Sequence, residues 1–308
     1  MTTASSPDRP LAVLLIGATG YIGRVVAESL HAHGHRVIAL LRPGAASVGL
    51  PPDSVVRRGD LADPASLGAA ITDNVDAVVN LATPSGSEDV DSAATTAILG
   101  SLRGTGRAYL YTSGVWVLGP TGDDTLDETA DTHPIELVAY RPRIEQQVLE
   151  AAAFGVRSAV LRPGIVHGRG GGIPALLVQL AEEHGAVRLL GEPPVHWPMV
   201  HVGDLADLFI RALGHAQAGA VLHGVAEQAV DAWALSKAAG AVAGVTRERT
   251  WPLAEARLTL GAGFADALAC DQSVSADHTK RALGWSPEHL GGIEDLTAGS
   301  YGSNARVG

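Results

Sequence analysis

The part of this chain that most limits its possible folds is residues 11–32. LAVLLI, at 11–16, is a continuous apolar run of strand length, the pattern of a strand buried on both faces of a parallel sheet. It leads directly into GATGYIG at 17–23 and then into an amphipathic stretch, 21–32, with Ile22, Val25, Val26 and Leu30 at near-helical spacing. Gly34 supplies the stop. Three glycines alone would suit any tight turn. Set between a buried strand and a helix start, they form a dinucleotide-binding turn. Gly17 permits the turn off the strand, Gly20 lets a pyrophosphate approach the backbone, and Gly23 lets helix and strand pack closely. The helix N-terminus, with Thr19, Tyr21 and Ile22 beside it, presents N–H groups and a positive dipole end to the phosphates.

The same alternation continues. Strands are predicted at 36–42, 54–61, 76–83, 107–114 and 158–164. Between them lie a helix opening with Asp63 as cap and Pro64 in its first turn, and another carrying Ile144, Val148 and Leu149. This pattern specifies an α/β fold with a doubly wound, Rossmann-type parallel sheet. Beyond residue 168 the alternation breaks up. GRGGGIP at 168–174 reads as a flexible loop, and 196–209 as a strand returning to the sheet before a helix. The expected division is a dinucleotide domain at 11–167, to which 199–225 returns. A smaller C-terminal substrate lobe, 168–198 and 226–308, forms a cleft against the sheet's carboxyl edge.

Composition narrows the function classes. A net charge of −11 argues against nucleic acid as a partner. The first ten residues are polar, and no apolar run approaches membrane-spanning length, so a cytoplasmic protein with no membrane partner is expected. The single cysteine, Cys270, excludes an internal disulfide and a multi-cysteine zinc site, and reads as a small buried residue. His31, His33 and His35 span a helix end and a turn, so no metal site is expected there. The partner expected is a small-molecule substrate, and oligomeric state is not legible. Only two of the 22 basic residues are lysines, Lys237 and Lys280, which suggests a GC-rich bacterial genome.

Cofactor choice is decided about twenty residues past the glycines, where an acid would favour NAD. The chain has Arg42 there, with no acid in ALLRPG, and a guanidinium can hold a 2′-phosphate by paired hydrogen bonds. NADP(H) is favoured over NAD(H).

With GATGYIG at 17–23, GDLADPASL at 59–67, NLAT at 80–83, YTSGVWVLG at 111–119, LRPGIVHGRGG at 161–171 and MVHVGDLA at 199–206, the chain resembles the extended and atypical short-chain dehydrogenase/reductases, the group of NAD-dependent epimerase/dehydratases. The resemblance implies that Asp60 and Leu61 flank the adenine, and that Leu81, Ala82 and Thr83 line the ribose and pyrophosphate. It brings Pro163, Gly164, Ile165 and Val166 to the nicotinamide. It also implies a Tyr/Lys proton relay assisted by a Ser or Thr. Here that relay is not retained. The Ser/Thr position falls on Gly114, with Ser113 one residue earlier, the Tyr position on Leu137 and the Lys position on Arg141. Tyr140 is out of register, and neither lysine lies near.

Arg141 keeps a charge for the ribose but cannot shuttle a proton. Pro142 requires the helix to start or kink beside it. His167, in the turn near the nicotinamide, titrates near neutrality and is a candidate acid or base. The catalytic candidates are therefore Ser113, Tyr140, Arg141 and His167. Asp127 and Glu128 are candidates for facing the substrate, and Trp116 and Trp197 for walling the cleft. The expected function is an NADP(H)-dependent reductase or dehydrogenase of a small carbonyl, imine or enone compound, with bacterial secondary metabolism as its setting. Alternatives on the same fold are a non-redox isomerase, cyclase or lyase, and an NADP(H)-sensing regulator.

Overall fold

From the amino end the order is β1 (Ala12–Ile16), α1 (Tyr21–Ala32), β2 (Arg36–Leu41), β3 (Val55–Arg58), α2 (Pro64–Ala70), β4 (Ala77–Asn80), α3 (Glu88–Leu102), β5 (Ala108–Thr112), α4 (Arg141–Glu150) and β6 (Arg157–Pro163). Next come β7 (Ile165–Gly168), α5 (Gly172–His184), β8 (Val187–Leu190), β9 (His196–His201), α6 (Val202–His215) and β10 (Ala220–Gly224). The chain ends through β11 (Glu227–Asp231), α7 (Ala232–Val242), β12 (Glu248–Trp251), α8 (Leu253–Leu260), α9 (Ala262–Leu268), α10 (Asp277–Leu283) and α11 (Gly292–Ala298). The structure is a computed structural model and describes residues 9–302. The polar segment 1–8, where no leader is expected, lies outside the described residues.

Seven strands form one parallel sheet in the order β10-β6-β5-β4-β1-β2-β3. β1 is central and buried on both faces, which its unbroken apolar run requires, and Val13 pairs with Val37 on one side and Ala77 on the other. Strand order reverses between β1 and β4, so the crevice for a ligand opens at the carboxyl ends of these two strands. On one face α1 and α6 bury Val25, Val26, Leu205 and Phe209 against the sheet. On the other, α2, α3 and α4 contribute Leu67, Ile98, Ile144 and Val148. Asp63 caps α2 by accepting from the Ser66 N–H, and Pro64 occupies its first turn.

Two features differ from the sequence expectation. The strand at 196–201 does not return to the large sheet. As β9 it lies between β7 and β11 in a separate three-stranded sheet, and β10 is the strand that returns, beside β6. Gly164 makes the division possible. A Cβ there would stand 2.5 Å from the Pro198 carbonyl oxygen, so a glycine is needed where the chain crosses from one sheet to the other. Residues 168–174 are also more ordered than a flexible loop. Gly168 and Gly171 bridge across a tight turn, and α5 begins at Gly172. A third hydrophobic core gathers around Trp197, Met199, Leu235, Trp251 and Leu268. Trp197 belongs to that core, with its indole N–H donating to the Leu268 carbonyl at 3.0 Å. Cys270 is buried, its thiol pushed up to about 11 by burial and by Asp271. Among the described residues no helix is long and apolar enough to cross a membrane.

Candidate active site

The carboxyl ends of β1, β2 and β4 open on a cavity of about 440 Å³, within the range of small-molecule sites. Gly17 turns the chain here at φ +84°, and a Cβ on it would stand 2.8 Å from the Ala82 nitrogen and the Leu81 carbonyl oxygen. A Cβ on Gly23 would run into the Gly17 backbone. Gly20 occupies the cap position of α1 without a side-chain cap, and the first turn holds no acidic residue. The positive end of the helix dipole is therefore left to an anion from outside. Thr19, Arg42, Asp60, Leu61, Ala82 and Thr83 line this cavity, while Leu81 packs against the core below it. Tyr21 turns away, and its hydroxyl donates to the Gly168 carbonyl at 2.8 Å.

At the rim, the Arg42 side chain has no hydrogen bond or ion pair among the described residues. Arg58 donates to the Arg42 and Ala45 carbonyls at 3.0 and 2.8 Å and so fixes the turn that presents Arg42. Arg24 donates from Nε to the Thr19 carbonyl at 2.9 Å and lies beside Gly49. Among the described residues none of the three arginines pairs with a carboxylate. Arg42 thus leaves an unneutralised guanidinium on the wall of the first cavity.

A second cavity, of about 220 Å³, lies between the carboxyl ends of β5 and β6. Its walls are mainly apolar and include Ile22, Trp116, Val138, Ile165 and Val166, and Pro163 and Gly164 also reach it. Three of the lining residues carry a polar atom that has no partner. Thr112 Oγ1, Ser113 Oγ and Arg141 Nε are buried without a hydrogen-bond partner. Arg141 opens α4 and is 8% exposed. Its Nη2 donates to the Thr112 carbonyl at 2.5 Å and to the Tyr111 hydroxyl at 3.4 Å, and its guanidinium stands 5.6 Å from the Tyr111 ring. Arg141 also lines a narrow cleft with Asn80, Asp91 and Tyr111, and that cleft shares Leu61, Ala82 and Pro84 with the first cavity.

The structure does not bring the other two catalytic candidates to this point. Pro142 falls in the first turn of α4, so the helix starts at it rather than kinking, and Tyr140 precedes the first turn. The Tyr140 hydroxyl donates to Asp91 Oδ2 at 2.6 Å, and Asp91 also accepts from the Ser85 N–H at 3.1 Å. Burial and this bond hold the Tyr140 phenol well above its ordinary value. Tyr140 lines neither cavity, and Leu137, at the family's Tyr position, is exposed. His167, in β7, does not line the apolar cavity; its Nδ1 lies 3.2 Å from Asp295 Oδ2 and its ring stands edge-on to His201 at 5.3 Å. Glu128 also lies elsewhere, accepting from the N–H and hydroxyl of Thr279, while Asp127 is exposed and bound to Thr129.

Behind β7, His201, Asp204 and His289 bring ligand-type atoms within 4.8 Å of one another. They are already engaged. His201 Nδ1 accepts from the Gly203 N–H and caps α6, and the Asp204 carboxylate accepts from the Glu288 and His289 backbone.

Sequence reading missed Thr112, Asp91, Arg24 and Arg58. Thr112 and Ser113 are consecutive, and only the turn after β5 shows that both hydroxyls are buried there. Arg24 directly follows the third glycine, one helical turn after the α1 N-terminus, and that spacing was the available clue.

The sequence profile of the NAD dependent epimerase/dehydratase family matches residues 13–225. An uncharacterised protein of Saccharomyces cerevisiae is 30% identical over 305 residues, spanning 93% of this chain and 98% of its own. A 3-diazoavenalumate denitrifying reductase of a Streptomyces species is 28% identical over 303 residues, with 90% and 96% covered. Among solved structures, the human epimerase family protein SDR39U1 with NADPH superposes with a TM-score of 0.74 at 23% identity, over 93% of this chain and 98% of that one. Thermus thermophilus UDP-glucose 4-epimerase with NAD gives 0.76 at 19%, over 94% and 98%. With the switch-point cavity, the glycine turn and this match in agreement, the chain belongs to the NAD-dependent epimerase/dehydratase family and has its NAD(P)-binding fold.

Proposed function

We propose that the chain is an NADP(H)-dependent reductase or dehydrogenase of a small carbonyl, imine or enone compound, working without the Tyr/Lys relay. The observation that carries this reading is the position of Arg141, which lines both the small second cavity and the cleft that shares Leu61, Ala82 and Pro84 with the first cavity, and which, with Thr112 and Ser113, supplies the buried unpaired polar atoms among the described residues lining the second cavity. Gly17, Thr19, Gly20, Ile22, Gly23, Asp60, Leu61, Ala82 and Thr83 would hold the dinucleotide, with Arg42 on the 2′-phosphate and Arg24 beside it. When bound, the cofactor supplies or accepts the hydride.

Ser113 Oγ donates to the substrate oxygen, and the Arg141 guanidinium stabilises negative charge developing on it. Arg141 also takes the ribose-anchoring place of the lysine. Being permanently charged, it does not transfer the proton. With Tyr140 held by Asp91 and His167 by Asp295, the proton reaches the product from water. The Streptomyces relative's name as a reductase supports redox chemistry. The small second cavity, below the range of drug-sized sites, favours a compact substrate over a nucleotide-sugar.

The deciding experiment follows C4-deuterated NADPH with a panel of small carbonyl and enone compounds. The expected result is deuterium on product carbon, with one cofactor consumed per product. Product formed without label and without cofactor consumption would replace this reading by a non-redox isomerase or lyase. Tight cofactor binding without turnover of any compound would favour a sensor.

A further inference from the structure

Two buried arginines lie at α4, one in its first turn and one reaching it from β6, and only one has an acid. Arg162 on β6 meets Glu145 of α4 at 2.6 Å, the two side chains being 5% and 2% exposed. Arg141, one helical turn before Glu145, is 8% exposed and meets only neutral acceptors, the Thr112 carbonyl and the Tyr111 hydroxyl. The acids nearby are committed elsewhere. Glu145 is held by Arg162, and Asp91 by Tyr140 and the Ser85 N–H. A guanidinium cannot give up its proton, and a buried charge without a counter-ion is costly.

Building on the reductase reading above, we infer that the second cavity takes a small, flat, largely apolar acid whose anionic oxygen is the counter-ion of Arg141. Ser113 Oγ and Arg141 Nε, both buried and unpartnered, supply the donors, and Thr112 Oγ1 extends the polar end. Trp116, Val138, Ile165 and Val166 supply walls for a ring or a short unsaturated chain, and 220 Å³ leaves little room for more. A neutral molecule of the same shape would fill the walls and leave the charge unanswered. A sugar would leave the walls unanswered.

The test uses the full chain without nucleotide and titrates trans-cinnamate, cinnamamide and cinnamyl alcohol by calorimetry or ligand-observed NMR. Cinnamate should bind at least about tenfold more tightly than the amide or alcohol, as expected for a charge-assisted pair. In Arg141→Gln the three ligands should bind within about twofold of one another, and Arg141→Lys should restore part of the difference. Ser113→Ala should lower the preference for the acid severalfold, and it serves as the second variant if Arg141→Gln does not fold.

Equal binding of acid and amide by the wild type, no binding of any probe at millimolar concentration, or a preference untouched in Arg141→Gln would overturn the inference. A parallel titration with 2′,5′-ADP separates the two ideas. If 2′,5′-ADP binds and cinnamate shows no preference, only the inference fails. If 2′,5′-ADP does not bind, the cofactor reading fails, and the acid-to-amide ratio still decides the inference.

Discussion

The Tyr140 hydroxyl donates to the Asp91 carboxylate across 2.6 Å, so the tyrosine nearest the expected relay is tied to α3 and faces away from both cavities. A phenol in this bond holds its proton more firmly than a free one. Tyr140→Phe should therefore leave turnover within about twofold of wild type. It should lower stability by about 1–2 kcal/mol, through one charge-assisted hydrogen bond lost. Steady-state kinetics beside denaturant unfolding would show it. A hundredfold fall in kcat at unchanged stability would return Tyr140 to the chemistry.

Cofactor selection should rest on the exposed end of β2. Arg42→Ala should weaken 2′,5′-ADP by roughly 10–100-fold, about 1.5–3 kcal/mol for a charged hydrogen bond. Binding of 5′-ADP should hardly change. Arg24→Ala should act in the same direction with a smaller effect, since its Nε already serves Thr19. Wild-type protein that binds both nucleotides equally would count against NADP(H).

The Arg162–Glu145 pair makes a sharper stability prediction. Glu145→Gln or Arg162→Met alone leaves one buried charge without its partner and should cost about 3–5 kcal/mol. The double variant Arg162→Met/Glu145→Leu should recover much of that loss. Thermal or urea unfolding of the wild type, Glu145→Leu, Arg162→Met and the double variant forms a double-mutant cycle, and simple additivity would contradict it.

Burial, with His289 and His167 as neighbours, lowers the His201 imidazole to about 4. Between its ordinary value of 6.5 and about 4 the unfolded chain binds a proton that the folded chain refuses. Stability is then full above pH 6.5 and declines as pH falls toward 4, by at most about 1.4 kcal/mol per pH unit from this group. His201→Asn keeps a residue type that caps helices and should flatten part of that decline. His35 and His223 are also shifted downward and will keep the rest. An unchanged slope in denaturation midpoints from pH 7 to 4 would remove His201 from the account.

The sequence was most readable where one physical rule dominates. β1, the glycine turn and α1 appear where an apolar run, backbone freedom and helical spacing coincide, and Asp63 caps α2 as its position before Pro64 predicts. α3 was not read, because EDVDSAATTAILGSL buries mainly Ala94, Thr95, Ile98 and Leu102 and lacks a broad apolar stripe. Residues 196–201 were rightly read as a strand, but a strand pattern does not say which sheet receives it. The Arg141 position was legible by counting along α4. The directions of Tyr140 and His167 were not, because the first depends on how Pro142 starts the helix and the second on contacts with Asp295 and His201, distant in the chain.

The Tyr301 hydroxyl accepts from the Gly168 N–H at 2.7 Å and donates to the Gly171 carbonyl at 2.6 Å, while Tyr21 donates to the Gly168 carbonyl. The turn after β7 is thus fastened to one residue 130 or more positions later and to one 147 positions earlier. Contacts so distant along the chain carry a large loop-closure cost and tend to form late in folding. On a ribosome, the glycine turn and the central sheet would be synthesised well before Tyr301 emerges. The wall of the second cavity next to this turn would then be the last to set, after the strands whose carboxyl ends line the first cavity.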